Sequence, residues 1–368
     1  MLVPVLLFAL GLVFLIKGGD WFVDGASGIA ERFGVPDLLI GATVVSIGTT
    51  LPEVMVSSNS ALSGHGEIAY GNAIGSIICN TALIAALTVA IKPSTVEKKS
   101  LRTPVIFFFL SAAIYVTTAY TTGRFSRPVG LVLLAIFVVY TVLLVRQALS
   151  AAGAAGGAYA SGNTEVAASS DAALEMAENA EAAEDAVPSD SVSKASEEKE
   201  SGKEAGEKPI WMLVVLLVVG AALIAIGADL LVDNGTLIAQ GLGVPESVIA
   251  LTFVALGTSL PELVTAITSL AKGHGALSLG NICGANLFNI VLVSGLSMTL
   301  EPFDLPAGKV INIAGQARNA SLVIDTPVML SVMIILTIPA LIKGKLERWQ
   351  GILLLAIYTG FTVFQLIN

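Results

Sequence analysis

A carboxylate set inside an apolar run constrains this chain more than any other feature. Gly41 to Glu53, GATVVSIGTTLPE, reads as part of a membrane-spanning helix except for its Glu, and Ala250 to Glu262, ALTFVALGTSLPE, repeats the pattern 209 positions later. A charged side chain at the bilayer centre costs about 3 kcal/mol or more, and such residues mark functional sites. The remaining segments are then the scaffold that brings Glu53 and Glu262 together.

Apolar runs long enough to cross a hydrocarbon core of about 30 Å, roughly 20 residues each, occur near 2–24, 37–62, 68–91, 103–122 and 127–149, and again near 210–232, 246–271, 276–299, 325–343 and 348–367. With 55% hydrophobic and 13% charged residues, a soluble globular chain is excluded. Between Gly34 and Asn80, nineteen of 47 positions are identical to those 209 residues on: Gly34-Val35-Pro36 meets Gly243-Val244-Pro245, Gly64-His65-Gly66 meets Gly273-His274-Gly275, and Gly71-Asn72 meets Gly280-Asn281. Because each group holds an odd number of spans, two homologous groups in series enter the membrane from opposite sides. The expected fold is an all-α polytopic membrane protein, ten transmembrane helices as two inverted five-helix repeats. One half is 1–149, the other 210–368, and 150–209 joins them.

Residues 150 to 208 hold thirteen Asp/Glu against four Lys, whereas the rest of the chain balances at fifteen of each sign. The acidity therefore belongs to the linker, which is too poor in apolar residues to fold alone, and it points to no nucleic-acid partner. A solvated tether is the simpler reading of it; regulatory Ca2+ binding is the alternative. Lys92, Lys98, Lys99, Arg102, Arg146, Lys203, Lys208, Lys272, Lys343, Lys345 and Arg348 fall in loops of one side, and Arg124, Arg127, Lys309 and Arg318 in loops of the other. The positive-inside rule then puts the linker in the cytoplasm and both termini outside, in a plasma (inner) membrane whose lipid is the chain's medium. No basic leader precedes the apolar residues 2–16, so they are expected to be a retained first span. Cys79 and Cys283 lie in apolar segments at non-equivalent positions and read as small core residues, not a disulfide.

Thr49 and Glu53 are four apart, as are Ser76 and Asn80, Thr258 and Glu262, and Ala285 and Asn289, so each pair shares a helix face. Pro52 and Pro261 cannot donate to the carbonyl four residues earlier, which predicts kinks near Gly48 and Gly257. Carbonyls freed at that depth survive where they line a cavity, and there they suit cations. Gly71, Gly75, Gly280 and Gly284 would let helices 3 and 8 approach closely. Two carboxylates with hydroxyl, amide and carbonyl oxygens, and no His or Cys at motif spacing, describe a hard-cation site for Ca2+ or Na+. Asp20, Asp24, Asp229 and Asp233 read as capping or interfacial residues, or as a cation-attracting vestibule. His65 and His274 read as turn residues.

GTTLPE with GNAIGSIICN, and GTSLPE with GNICGANLFN, resemble the two alpha-repeats of the sodium/calcium exchanger branch of the Ca2+/cation antiporter superfamily. The resemblance covers both five-span halves. It implies a central site made by helices 2, 3, 7 and 8, alternating access by sliding of helices 1 and 6 against that core, and electrogenic exchange of Na+ for Ca2+ without a cofactor. Carried over by position, Glu53 and Glu262 are shared Ca2+ and Na+ ligands, and Thr49 and Thr258 add oxygens to the calcium site. Thr50, Ser259 and Ser76 match hydroxyls of the Na+ sites. Ser46 and Ala255 supply backbone carbonyls, while Asn80 and Asn289 stand at the family's amide or acid position. The chain departs from the pattern twice. Ala285 replaces a usual Na+-ligating Ser, which leaves the affinity or number of sodium ions open, and Asn289 stands where Asp is frequent, which argues against a potassium requirement.

Three other readings are compatible with these residues. A proton could replace Na+ as the coupling ion, a reading that Ala285 encourages. Two membrane-embedded acids could also belong to an intramembrane aspartyl-type protease, although both are Glu after Pro. An ion channel is disfavoured by halves that converge on one site instead of forming a ring.

Overall fold

The computed structural model describes residues 2–150, 208–241, 257–306, 310–313 and 316–367. The linker reading at 150–209 therefore lies almost wholly outside the described residues, as does Ala255. The helices are α1 (Leu2–Phe33), α2 (Asp37–Leu62), α3 (Gly66–Ile91), α4 (Lys98–Thr121), α5 (Arg127–Ser150), α6 (Ile210–Gly241), α7 (Leu260–Ala271), α8 (Gly275–Leu300), α9 (Ser321–Lys343) and α10 (Arg348–Ile367). Eight of these, all but α7 and α10, are long and apolar enough to cross a membrane. The described part of α7 is a 12-residue apolar helix, and α10 runs for 20 residues. The only strands among the described residues are short: β1 (Arg124–Phe125), β2 (Phe303–Asp304), β3 (Val310–Ile313) and β4 (Gln316–Asn319).

Helices α2, α3 and α8 are the most enclosed, and α1, α5 and α6 turn most of their apolar surface outward. That distribution fits a bundle whose outer helices face lipid, because apolar contact with lipid is as favourable as contact with a core. Corresponding elements of the two halves make corresponding contacts. A Cβ on Gly11 would lie 2.9 Å from the Gly227 carbonyl, and one on Gly18 would lie 2.9 Å from that of Gly220. Gly11 corresponds to Gly220 and Gly18 to Gly227 at the 209-residue offset, so the equivalent helices α1 and α6 cross antiparallel through reciprocal glycine contacts. The Gly-His-Gly turns after α2 and α7 also match, with left-handed glycines at Gly64 (φ 80°) and Gly273 (φ 87°).

Loops of the two halves meet in two places. On one face the α3–α4 loop meets the α9–α10 loop: Thr95 pairs with Lys345, Val96 N–H donates to the Gly344 carbonyl at 2.9 Å, and Leu346 N–H to that of Ser94 at 2.8 Å. On the other, β1 pairs antiparallel with β2, joining the α4–α5 loop to the segment after α8. The second pairing is the first with the halves exchanged.

Helix α2 differs from expectation in detail. It remains α-helical through Pro52, and its departure from α geometry is a π turn at Gly41–Val45, upstream of Gly48. Further π turns lie at Asn80–Ala85, Asn289–Ser294 and Ser321–Asp325. In three of the four, a hydroxyl takes the first residue's carbonyl: Ser46 Oγ to Gly41 at 2.6 Å, Ser294 Oγ to Asn289 at 2.9 Å and Thr326 Oγ1 to Ser321 at 2.9 Å. The π turns of α3 and α8 begin at the equivalent residues Asn80 and Asn289. In the second half the expected break is present, since α7 begins at Leu260 with Pro261 in its first turn, directly after a turn at Thr258 and Ser259. Cys79 and Cys283 are buried free thiols, as expected.

Candidate ion site

Glu53 on α2 and Glu262 on α7 are both 0% exposed, and among the described residues none of their four carboxylate oxygens has a hydrogen-bond partner within ordinary distance, Thr49 being the nearest hydroxyl to Glu262. Glu262 lies near enough to Glu53 for the two charges to repel. A carboxylate buried without a partner is far costlier than a paired one. Two such groups in one protein need positive charge to settle them, and among the described residues no Lys or Arg is bonded to either.

The surrounding polar atoms are unpartnered in the same way. Among the described residues, Thr50 Oγ1, Ser259 Oγ, both amide atoms of Asn80, and Asn289 Oδ1 are buried with no hydrogen-bond partner. Asn289 spends its Nδ2 on the Ala285 carbonyl at 3.0 Å, which fixes its oxygen as the free end. Ser46 and Ser76 are also buried. Ala285 is fully buried and offers no side-chain oxygen, whereas its counterpart Ser76 does. Helix α8 lies directly on α2, because Gly280 and Gly284 leave no Cβ at the crossing. Added carbons would stand 2.2 Å from the Leu38 carbonyl and 2.2 Å from Ser46 Oγ. Gly71 and Gly75 show nothing within 4 Å; the positions that would meet them by the same symmetry fall at 247–255, outside the described residues.

Two asparagines absent from the sequence-derived site also enter it. Thr49 Oγ1 donates to Asn281 Oδ1 at 3.1 Å, and Thr258 Oγ1 to Asn72 Oδ1 at 3.3 Å. Both bonds cross between halves. The signal for them was visible as the repeated Gly-Asn of α3 and α8, but a repeat does not say which helix its residue will face. Another group pairs unexpectedly: Lys272 Nζ reaches Asp24 at 2.7 Å and Asp20 at 3.5 Å. Those acids are therefore ion-pair partners of the α7–α8 turn. His274, in the same turn, has Nδ1 2.8 Å from Asp37 Oδ2. Among the described residues no three His, Cys, Asp or Glu side chains gather into a metal cluster, so a cation at this site would meet two acids and neutral oxygens.

A sequence profile for the family described as sodium/calcium exchanger protein matches residues 3–146 and 212–367, that is, both halves and not the linker. The chain belongs to the sodium/calcium exchanger family. It is 31% identical to sodium/calcium exchanger MaX1 of Methanosarcina acetivorans over 97% of each chain, and 33% identical to inner membrane protein YrbG of Escherichia coli over 83% of this chain and 82% of that one. Among solved structures, the sodium-calcium exchanger NCX_Mj soaked with Na+ and Sr2+ superposes with a TM-score of 0.69, at 29% identity and 97% coverage of each chain. This exchanger is of the prokaryotic type and is an integral membrane protein of an antiporter family, so its buried acids belong to a transporter. The protease and channel readings have no support from these relatives.

Proposed function

We propose that this protein exchanges Na+ for Ca2+ by alternating access, with Glu53 and Glu262 as the shared ligands. The observation that carries the reading is the pair of fully buried, unpartnered carboxylates from opposite halves, ringed by unpartnered oxygens. Such a site is costly without cations. One set of ions therefore leaves only as another arrives, which is the physical requirement for exchange. Thr49, Thr258, Asn80 and Asn289 add neutral oxygens toward Ca2+, and Thr50, Ser259 and Ser76 toward Na+. The carbonyls of Ser46 and Ala255 complete the set.

The ten helices form two inverted repeats, a reading supported by the antiparallel α1–α6 crossing and by the exchanged loop pairings on the two faces. The face that carries Lys98, Lys272, Lys343 and Lys345 is cytoplasmic in this reading, with both termini on the outside of a plasma membrane and 150–209 as a cytoplasmic tether. Alternating access follows from α1 and α6 moving as a pair against the core. Proton coupling is the second reading, favoured by Ala285, because a sodium site lacking one oxygen weakens the case for Na+.

The test is 45Ca2+ uptake into proteoliposomes loaded with Na+, with K+ or with acid, using Glu53→Gln as the blank. Uptake that requires internal Na+ is expected. Uptake driven only by the acid load would move the protein to H+/Ca2+ exchange.

A further inference from the structure

The threonines on either side of the site each face an asparagine of the opposite half, and Thr49 has only a longer contact, 3.4 Å to the Ser46 carbonyl, within its own. Thr49 of α2 meets Asn281 of α8 at 3.1 Å, and Thr258, beside α7, meets Asn72 of α3 at 3.3 Å. Asn72 and Asn281 occupy the same position of the repeat, so one contact is the symmetry mate of the other. A hydroxyl has one proton and two lone pairs, and it can ligate a cation only when that proton points elsewhere. Among the described residues, the opposite asparagine's amide oxygen is the nearest acceptor in reach of each threonine hydroxyl.

One of the two amides is itself held. Asn72 Nδ2 donates to Ser57 Oγ at 2.8 Å and to the Glu53 carbonyl at 3.3 Å, which turns its oxygen toward Thr258 and ties it to the helix turn that carries Glu53. Asn281 is fully buried, its Nδ2 has no partner among the described residues, and its place is set through the backbone, whose carbonyl shares the Ser46 hydroxyl proton (3.0 Å) with the Gly41 carbonyl of the α2 π turn (2.6 Å).

We propose that Asn72 and Asn281 are positioning residues that orient the hydroxyls of Thr258 and Thr49 toward the transported ion, each half setting the ligand geometry of the other. The inference rests on the reading of Thr49 and Thr258 as ion ligands. It implies that the effect of each asparagine on ion affinity runs through its own crossed threonine, a pattern that general packing would not produce.

The test is a set of double-mutant cycles on the full chain in proteoliposomes, reading the half-saturating Ca2+ concentration of 45Ca2+ uptake, with thermal unfolding in detergent to confirm folding. Thr49→Val, Thr258→Val, Asn72→Leu and Asn281→Leu are each expected to raise that concentration about tenfold, the ratio that loss of one buried hydrogen bond corresponds to. Combining Asn281→Leu with Thr49→Val, or Asn72→Leu with Thr258→Val, should be no worse than the threonine change alone. The uncrossed combinations should multiply. Independent effects in the crossed pairs, or asparagine variants that saturate like the unaltered protein, would overturn the proposal while leaving the ion site intact. Threonine variants with unchanged saturation would instead remove the ligand reading beneath it. Asn72→Ala and Asn281→Ala serve in place of any Leu variant that does not fold.

Discussion

At the scale of single residues, the two glutamates do not behave as structural acids. A structural buried carboxylate is hydrogen-bonded, and removing its charge leaves partners stranded; among the described residues Glu53 and Glu262 have no hydrogen-bond partner within ordinary distance to strand. Glu53→Gln and Glu262→Gln are therefore expected to abolish Ca2+ uptake while leaving the unfolding temperature in detergent unchanged or raised. An active Gln variant would remove that residue from the site. Ala285 gives a finer prediction. It is fully buried, and its carbonyl is engaged by Asn289, so Ala285→Ser adds one oxygen where Ser76 already supplies one in the other half. The change should shift the Na+ dependence of uptake more than the half-saturating Ca2+ concentration. Unchanged Na+ curves would show that this position takes no part in sodium binding.

At the scale of elements, much of the helical plan was legible in the sequence, because a 20-residue apolar run has few alternatives in a bilayer. The carboxylates, the glycine faces and the matching Gly-His-Gly turns were legible for a related reason, since each is a local pattern repeated at a constant offset. The π turns were not. An extra residue in one helical turn leaves no periodic trace, and the deviation in α2 sits at Gly41–Val45 instead of at the turn before Pro52, where local sterics pointed. Pairing across halves was equally hidden: nothing near Asp20 or Asp24 in sequence announces Lys272. The glycine contacts can be tested directly. A Cβ at Gly284 would stand 2.2 Å from Ser46 Oγ and 2.8 Å from Ala42 Cα, whose backbone cannot yield. Gly284→Ala should therefore destabilise the protein by about 1–3 kcal/mol as an overpacked contact and lower exchange by displacing α8 from α2. Gly360→Ala in α10, with nothing within 4 Å, should be neutral or slightly stabilising in the same unfolding assay. Equal effects of the two would mean that the α2–α8 crossing tolerates separation.

At the scale of the whole molecule, the halves are repeats in sequence but not independent domains. α1 lies against α6, α8 lies against α2, and β1 pairs with β2. The site draws one acid from each half. Most of the contacts that define the centre therefore run between halves, and a five-helix half alone would leave the apposed glycine faces and one unpaired carboxylate without their complements. The family match spans both halves and omits the segment between them. The covalent connection is therefore expected to be dispensable. Residues 1–160 and 200–368, expressed together as two chains with an affinity tag on one, should purify as a one-to-one pair and support Ca2+ uptake close to that of the intact protein. The interlocking contacts account for association in the membrane, where close packing and not hydrophobicity drives helix pairing. Halves that purify separately would show that the tether is needed to bring them together. Halves that pair but do not transport would give the acidic segment a functional role beyond that of a tether.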